Sequence, residues 1–204
     1  MSFDSTVFIV DDDEAVRDAI GFLMKSVGLP HQLYVDGQEF LAAYEREPSA
    51  GCLVLDIRMP KLNGLELQER LNKKRLLLPI IFITGHGDVP MAVQAMQHGA
   101  FDFLQKPFRD QDLLDRVQSA IEQDKESRDC LLEQGEIMRR LATLTERERE
   151  IFDRVVEGQA NKVIAIDLGL SQRTIEIHRS HVMEKLQAGS LANLVRMCEK
   201  VKPS

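Results

Sequence analysis

Five side chains in this 204-residue sequence have types and positions suited to one kind of chemistry. Asp11 and Asp12 follow the apolar run TVFIV, Asp56 ends CLVLD, Thr84 ends IIFIT, and Lys106 follows FDFLQ. Three carboxylates within a few ångströms of one another in a partly dry cleft repel, so they must take up protons or hold a cation. All-oxygen ligands suit a hard ion such as Mg2+, which keeps waters and accepts phosphate oxygens as further ligands. With a hydroxyl and an ammonium alongside, the group becomes a receptacle for a phosphoryl group, with Asp56 as the nucleophile that becomes an aspartyl phosphate. The bland alternative is that an acid after a strand is a turn or helix-capping residue. Asp13 and Asp36 are read that way. For Asp56 the matching chemistry at the fourth and fifth runs, each beside a turn signal (Gly85-His86-Gly87 and Pro107), argues against it.

Those five residues converge only if the runs that carry them are neighbouring strands. Short β-rich runs alternate with helical periods from Thr6 onward: TVFIV then 14–27, QLYV then 37–44, CLVLD then 64–74, IIFIT then 89–98, FDFL then 110 onward. Five strand-helix repeats in about 120 residues predict a doubly wound parallel sheet covered by helices on both faces, because each parallel crossover needs a helix. Functional groups in such a sheet gather at the carboxyl ends of the strands, where strand order reverses. The order 2-1-3-4-5 makes the first and third strands neighbours and brings Asp11, Asp12 and Asp56 together. After Thr145 the strand pattern gives way to helical periods, so the chain reads as α/β followed by all-α. Between the two, 122–140 is polar, free of proline and rich in Glu, Gln, Lys, Leu and Arg, which favours a helical linker despite the roughly 1 kcal/mol that Gly135 costs it.

Composition narrows the function. The longest apolar stretch, Leu76 to Ile83, is less than half the roughly 20 residues of a membrane span and is interrupted by Pro79. The start, MSFDSTVFIV, lacks a basic front before its apolar run, so a secretory signal is not expected and the chain is read as cytoplasmic, without a membrane. Cys52, Cys130 and Cys198 are odd in number and widely spaced, which supports neither a disulfide framework nor a zinc site. His178 and His181, three apart on a helix, are read as packing or backbone contacts rather than as metal ligands. The net charge of −7 is uneven: residues 137–204 hold 12 basic against 9 acidic residues, net +3, and residues 1–136 hold the other 14 against 24, net −10. A basic C-terminal part beside an acidic N-terminal one is the footprint of a nucleic-acid-binding module.

Thr145-Glu146-Arg147-Glu148 is a capping box ahead of Ile151 and Val155, so a helix begins there. The stretch Asn161 to Ser171 reads as a short helix, a turn at Gly169 and a Ser N-cap for a new helix running to about Leu186. Helix, short glycine turn, helix is the geometry of a DNA-reading pair, although small helical bundles show such turns too.

The motifs FIVDDDE, VLDIRMPKLNGLEL, IIFITGHGD and AFDFLQKPF together resemble the receiver domain of two-component response regulators over residues 5–122, and TGHGDVPMAVQAMQHGAFDFLQKPF is similar to the FixJ subgroup. The resemblance implies a flavodoxin-like receiver with Asp11 and Asp12 as the Mg2+ acid pair, Asp56 as phosphoacceptor and metal ligand, and the Arg58 carbonyl as a further ligand. It also implies Thr84 as the switch hydroxyl, Lys106 as the phosphate partner, Phe103 as the switch aromatic and a cis Lys106-Pro107 bond. NKVIAIDLGLSQRTIEIHRSHVMEKL resembles the LuxR-type helix-turn-helix over about 141–200. The expected organisation is a receiver at 1–122, a helical linker at 123–140 and a DNA-binding domain at 141–204.

On that resemblance, helix 172–186 enters the major groove. Its stripe Ile175, Val182 and Leu186 must face the bundle, which leaves Glu176, Ile177, Arg179 and Ser180 on the groove side. Arg173 and Glu176 can read guanine and cytosine edges. Lys162, Thr174, Arg179 and Lys185 are assigned to phosphates, which set register rather than sequence. The stripe Leu191, Leu194, Val195 and Cys198 either closes the core or forms a dimer face. The implied partners are a sensor histidine kinase, double-stranded DNA with two half-sites, RNA polymerase, and a second copy of the chain after phosphorylation; the implied role is a non-enzymatic transcription factor, an activator. Haloacid-dehalogenase-type phosphatases also phosphorylate an Asp after a parallel strand, but they place a second Asp two residues on, where this chain has Arg58, and arginine cannot donate the proton. No G-x-x-x-x-G-K-[ST] phosphate loop is present. The alternative function is a constitutive DNA-binding regulator whose pseudo-receiver binds another ligand or partner.

Overall fold

The computed structural model of the chain describes residues 5–85 and 89–201. Five parallel strands, β1 (Thr6–Val10), β2 (His31–Tyr34), β3 (Gly51–Asp56), β4 (Ile80–Thr84) and β5 (Asp102–Gln105), form one sheet in the order β2-β1-β3-β4-β5. The helices α1 (Glu14–Ser26), α2 (Gly37–Arg46), α3 (Gly64–Lys73) and α4 (Val89–Gln97) alternate with them, and α5 (Asp110–Leu141) follows β5. The expected doubly wound sheet is present. Strand and helix ends move by one or two residues from the expected limits, as at β2 and β5, because end residues answer to ladder pairing as well as to apolar character. His86 and Gly87 of the expected turn lie outside the described residues.

Alternation within each strand divides the core in two. Val7, Ile9, Val54, Ile81 and Ile83 face α1 and α5, meeting Ile20, Met24, Leu113 and Val117. Phe8, Val10, Leu53, Leu55 and Phe82 face the other way, onto Phe40, Tyr44, Leu67 and Leu71. Asp13 and Asp36 are N-caps, accepting from the first backbone N–H groups of α1 and α2.

The chain separates into two compact units between Arg128 and Asp129, within α5, so the whole expected linker is helical. The second unit contains the distal turns of α5 with α6 (Glu146–Val156), α7 (Asn161–Leu168), α8 (Gln172–Lys185) and α9 (Leu191–Val201). Its core is built on Ile137, Leu141, Ile151, Phe152, Ile164, Ile175, Val182, Leu186 and Leu194. The capping box at Thr145 and Glu148 is formed, and Gly169 ends α7 in the left-handed conformation at φ 63°. Among the described residues no helix is long and apolar enough to cross a membrane.

A Cβ on Gly135, in the exposed helical stretch of α5, would meet nothing within 4 Å. Gly135→Ala therefore removes only the entropic cost of a helical glycine and should stabilise the protein by roughly 0.5–1 kcal/mol in denaturant unfolding.

Candidate functional site

Strand register brings the acids together. Val10 lies beside Leu55, so the residues that follow, Asp11 and Asp56, emerge side by side from adjacent strands. Asp56 lies beside Ile83, one residue before Thr84, and Thr84 lies beside Gln105, one residue before Lys106. Lys106 returns to the cluster with its backbone N–H donating to the Thr84 carbonyl at 2.7 Å. Its ammonium donates at 2.8 Å to Asp11 Oδ2 and at 2.8 Å to Asp56 Oδ1.

Both acids are held in a low-dielectric pocket: Asp11 is 1% exposed and Asp56 is 7% exposed. Asp56 Oδ2 accepts from the Arg58 backbone N–H at 2.7 Å, and Asp11 Oδ1 accepts from the Asp13 N–H at 2.9 Å. Burial pushes the Asp56 carboxyl above its ordinary pKa against the pull of Lys106, and the Asp11 charge adds to the rise. Burial works against the Lys106 ammonium, yet its bonds to the two carboxylates carry its pKa above the usual lysine value. Thr84 is buried at the next strand end, its hydroxyl donating to the Gly85 carbonyl at 3.3 Å.

Of the three carboxylates expected to converge, Asp11 and Asp56 are buried and joined through Lys106. Asp12 is exposed, and among the described residues no group of three His, Cys, Asp or Glu side chains stands ready to hold a metal ion. The donor set still fits Mg2+: two buried carboxylates and the carbonyl of Arg58 are all hard oxygen donors, and Mg2+ is usually bound through one or two carboxylates with water completing its octahedron.

Two supporting residues escaped the sequence reading. Arg17 on α1 donates to the Asp11 carbonyl at 2.8 Å. Gly64 opens α3 against β3, where a Cβ would lie 2.5 Å from the Asp56 carbonyl oxygen. The glycine in KLNGLEL was the available signal for this close approach. Phe103 on β5 is 37% exposed, and Val93 and Met96 of α4, which contacts β5, are exposed too. An open apolar groove of about 610 Å³ is lined by Val16, Ile20 and Leu23 of α1 with Lys106, Pro107 and Phe108. The Lys106-Pro107 bond is cis.

In the second unit Ile175, Val182 and Leu186 are buried, which leaves Arg173, Glu176, Ile177 and Ser180 on the exposed side of α8. Ser171 caps the helix by accepting from the Thr174 N–H at 3.1 Å, and the two hydroxyls are 2.7 Å apart. Lys162 is exposed in the first turn of α7, and Arg179 is half-buried against Asn161. Lys185 has an internal partner: its ammonium donates at 2.6 Å to Glu148, which is 4% exposed, and at 3.3 Å to the Thr143 carbonyl. The bond to Lys185 and the Thr145 backbone N–H hold the Glu148 carboxyl at about 2. The C-terminal stripe splits: Leu194 is buried and Cys198 packs on the same core, whereas Leu191 is 42% exposed. The His178 and His181 rings stand edge to face, 6.4 Å apart.

Residues 7–118 match the response regulator receiver domain, and residues 142–198 match the bacterial regulatory proteins of the luxR family. Nodulation protein W of Bradyrhizobium diazoefficiens is 45% identical, over 95% of this chain and 85% of its own length. The transcriptional regulatory protein FixJ of the same organism is 44% identical, over 94% of this chain and 93% of its own. Among solved structures, the response regulator StyR superposes with a TM-score of 0.85 at 42% identity, covering 97% of this chain and 99% of that one.

The Glu148 carboxyl is held far below its ordinary 4.5, so its contribution to stability is complete above that pH and is lost as pH falls toward about 2. Glu148→Gln should flatten this part of the acid-unfolding curve of α6 and α8, followed by circular dichroism. An acid transition identical to that of the parent protein would contradict the assignment.

Proposed function

The chain belongs to the two-component response regulators that join a receiver domain to a LuxR-type DNA-binding domain, and we propose that phosphorylation of Asp56 switches its binding to DNA. The observation that carries this reading is the Lys106 ammonium spanning two buried carboxylates at 2.8 Å each. The arrangement holds one nucleophilic oxygen ready and sets a fixed positive charge beside the position an incoming phosphoryl group would take. A phosphohistidine of a sensor kinase is the donor class. Its P–N bond breaks, a P–O bond forms to an Asp56 oxygen, and the histidine nitrogen leaves with the electron pair. Lys106 then turns its hydrogen bond from Asp56 to a phosphoryl oxygen while keeping Asp11. Asp11, Asp56 and the Arg58 carbonyl would hold Mg2+, with Asp12 beside them, and the ion supplies charge neutralisation and orientation of the phosphoryl oxygens. The apolar groove beside Lys106 supports docking of the kinase where a helix face can approach Asp56.

The outward face of α4 and β5 supports the output. Thr84 would shift toward the new anion and Phe103 would turn inward, changing the surface that carries Val93 and Met96 so that two receivers pair. A clean switch needs a differential free energy of several kcal/mol, on the scale of the roughly 5.5 kcal/mol that inverts a 1:99 population. We assign the receiver to 1–122, the linker to 123–140 and the DNA-binding domain to 141–204, acting as a homodimer on two half-sites and as an activator that engages RNA polymerase. Arg173, Glu176, Ile177 and Ser180 of α8 face the bases, while Lys162 of α7 and Thr174, Arg179 and, more weakly because Glu148 already neutralises it, Lys185 of α8 serve the phosphates.

With Mg2+ and acetyl phosphate, the parent protein should shift to a dimer in gel filtration and Asp56→Asn should stay as it was; dimerisation of the variant would remove Asp56 from the input. Selection from a randomised DNA library gives the site for the second test. Glu176→Ala should lose roughly 1–3 kcal/mol of discrimination at one base pair. Lys162→Ala should weaken all sequences alike and lower the salt slope by about 1. Equal losses on selected and random DNA for both variants would refute this division of labour.

A further inference from the structure

Two cations on α8 are bonded to residues of other helices, and the chemistry of their partners differs. Lys185 is paired with a buried carboxylate, so its charge is cancelled within the bundle. Arg179 Nη1 donates to the side-chain oxygen of Asn161, a neutral group, and among the described residues it forms no ion pair. Its full charge is therefore retained. Arginine has five N–H donors in a rigid fork; with one bond to Asn161 the others are left to a partner from solution, in a fixed plane suited to an oxyanion.

Asn161 itself is spent in an unusual way. It is the first residue of α7, one position past the N-cap from which an asparagine side chain would cap the helix's own N–H groups. Here the N-cap is Ala160, which offers no side-chain hydrogen bond, and the amide oxygen of Asn161 reaches instead to a residue 18 positions on. The hydrogen bond thus serves Arg179 rather than α7. An alanine would leave the guanidinium to sample several rotamers, and an aspartate would fix it while cancelling its charge.

We infer that Asn161 is a positioning residue for DNA binding, which orients the Arg179 guanidinium toward the phosphate backbone without neutralising it. This rests on the reading of α8 as the DNA-contacting helix. Orientation before contact lowers the ordering cost of binding, and a net cation contributes about 0.9 to the slope of log affinity against log salt.

The experiment is a double-mutant cycle on the full-length protein, phosphorylated with acetyl phosphate, with affinity for the selected site measured by fluorescence anisotropy from 50 to 200 mM salt. Arg179→Ala should weaken binding about tenfold, the scale of one charge-assisted bond, and flatten the salt slope by about 0.9. Asn161→Ala should weaken binding several-fold with the slope unchanged, and the double variant should bind no worse than Arg179→Ala. Asn161→Asp should flatten the slope as Arg179→Ala does, although an acid in the first turn favours the helix dipole and keeps α7 folded. A purely structural role predicts parent-like binding for Asn161→Asp. That result, or single-variant losses that multiply in the double variant, would overturn the inference. Normal affinity and slope in Arg179→Ala would overturn it too, and if Glu176→Ala still altered base preference the reading of α8 would stand. Unaltered specificity in both Arg173→Ala and Glu176→Ala would instead refute that reading itself. Should Asn161→Ala unfold, the Asn161→Asp series decides the matter alone.

Discussion

The N-terminal unit is organised around one ammonium bridging two buried carboxylates. Asp11 and Asp56 emerge side by side because β1 and β3 are adjacent in parallel register, and a pair of buried acids at that spacing needs a cation. Lys106 meets the need from the far side of β4. Its position depends on β5 lying beside β4 and on its backbone bond to Thr84, so the charge balance of the pocket depends on four of the five strands. Gly64 and Arg17 close the pocket from the two faces of the sheet, one by having no side chain and the other by holding the Asp11 carbonyl. On the function proposed above, the same bridge that satisfies the acids would leave a nucleophile and a cation in place for an incoming phosphoryl group.

The opposite pole of the sheet solves a related problem with different partners. Asp124 of α5 is buried and accepts from the Gly51 backbone N–H at 2.9 Å and from Arg128 Nε at 2.7 Å. Arg128 donates in turn to the Ser49 carbonyl at 2.9 Å, where the Tyr44 hydroxyl also donates. Gly51 has φ of 148°, and a Cβ there would lie 1.8 Å from the Thr6 carbonyl oxygen, so only glycine allows this approach. The acid is fully matched by local donors, which makes the cluster a tie between α5 and the start of β3. The two poles thus differ in their cations: Arg128 is spent on Asp124 and the Ser49 carbonyl, whereas one Lys106 ammonium is shared between Asp11 and Asp56.

In the C-terminal unit the apolar stripe of α8 decides which side chains stay outside, and polar partners decide what they can do there. Glu148 completes the capping box of α6 and neutralises Lys185, joining the start of one helix to the end of another. Arg179 meets an amide and keeps its charge. Counting basic residues along α8 would weight the two cations equally, whereas their partners separate them.

Local chemistry made much of this protein legible from its residues alone. Strand-helix alternation fixed the number and order of elements, Asp13, Asp36, Thr145 and Ser171 marked helix starts, and Gly169 marked a helix end, because caps and turns depend on residues one to four positions apart. Residue type at the ends of successive β-rich runs marked Asp56, Thr84 and Lys106 as a group, and the resemblance of the motifs implied their roles. Choices between partners distant in sequence were made only by the tertiary structure. It buried Asp11 and left its neighbour Asp12 exposed, gave Lys185 to Glu148 and Arg179 to Asn161, and divided the stripe of α9 between a buried Leu194 and an exposed Leu191. Each of those outcomes depends on which group approaches across a gap of many residues, and hydrophobic period and residue type carry no information about that approach.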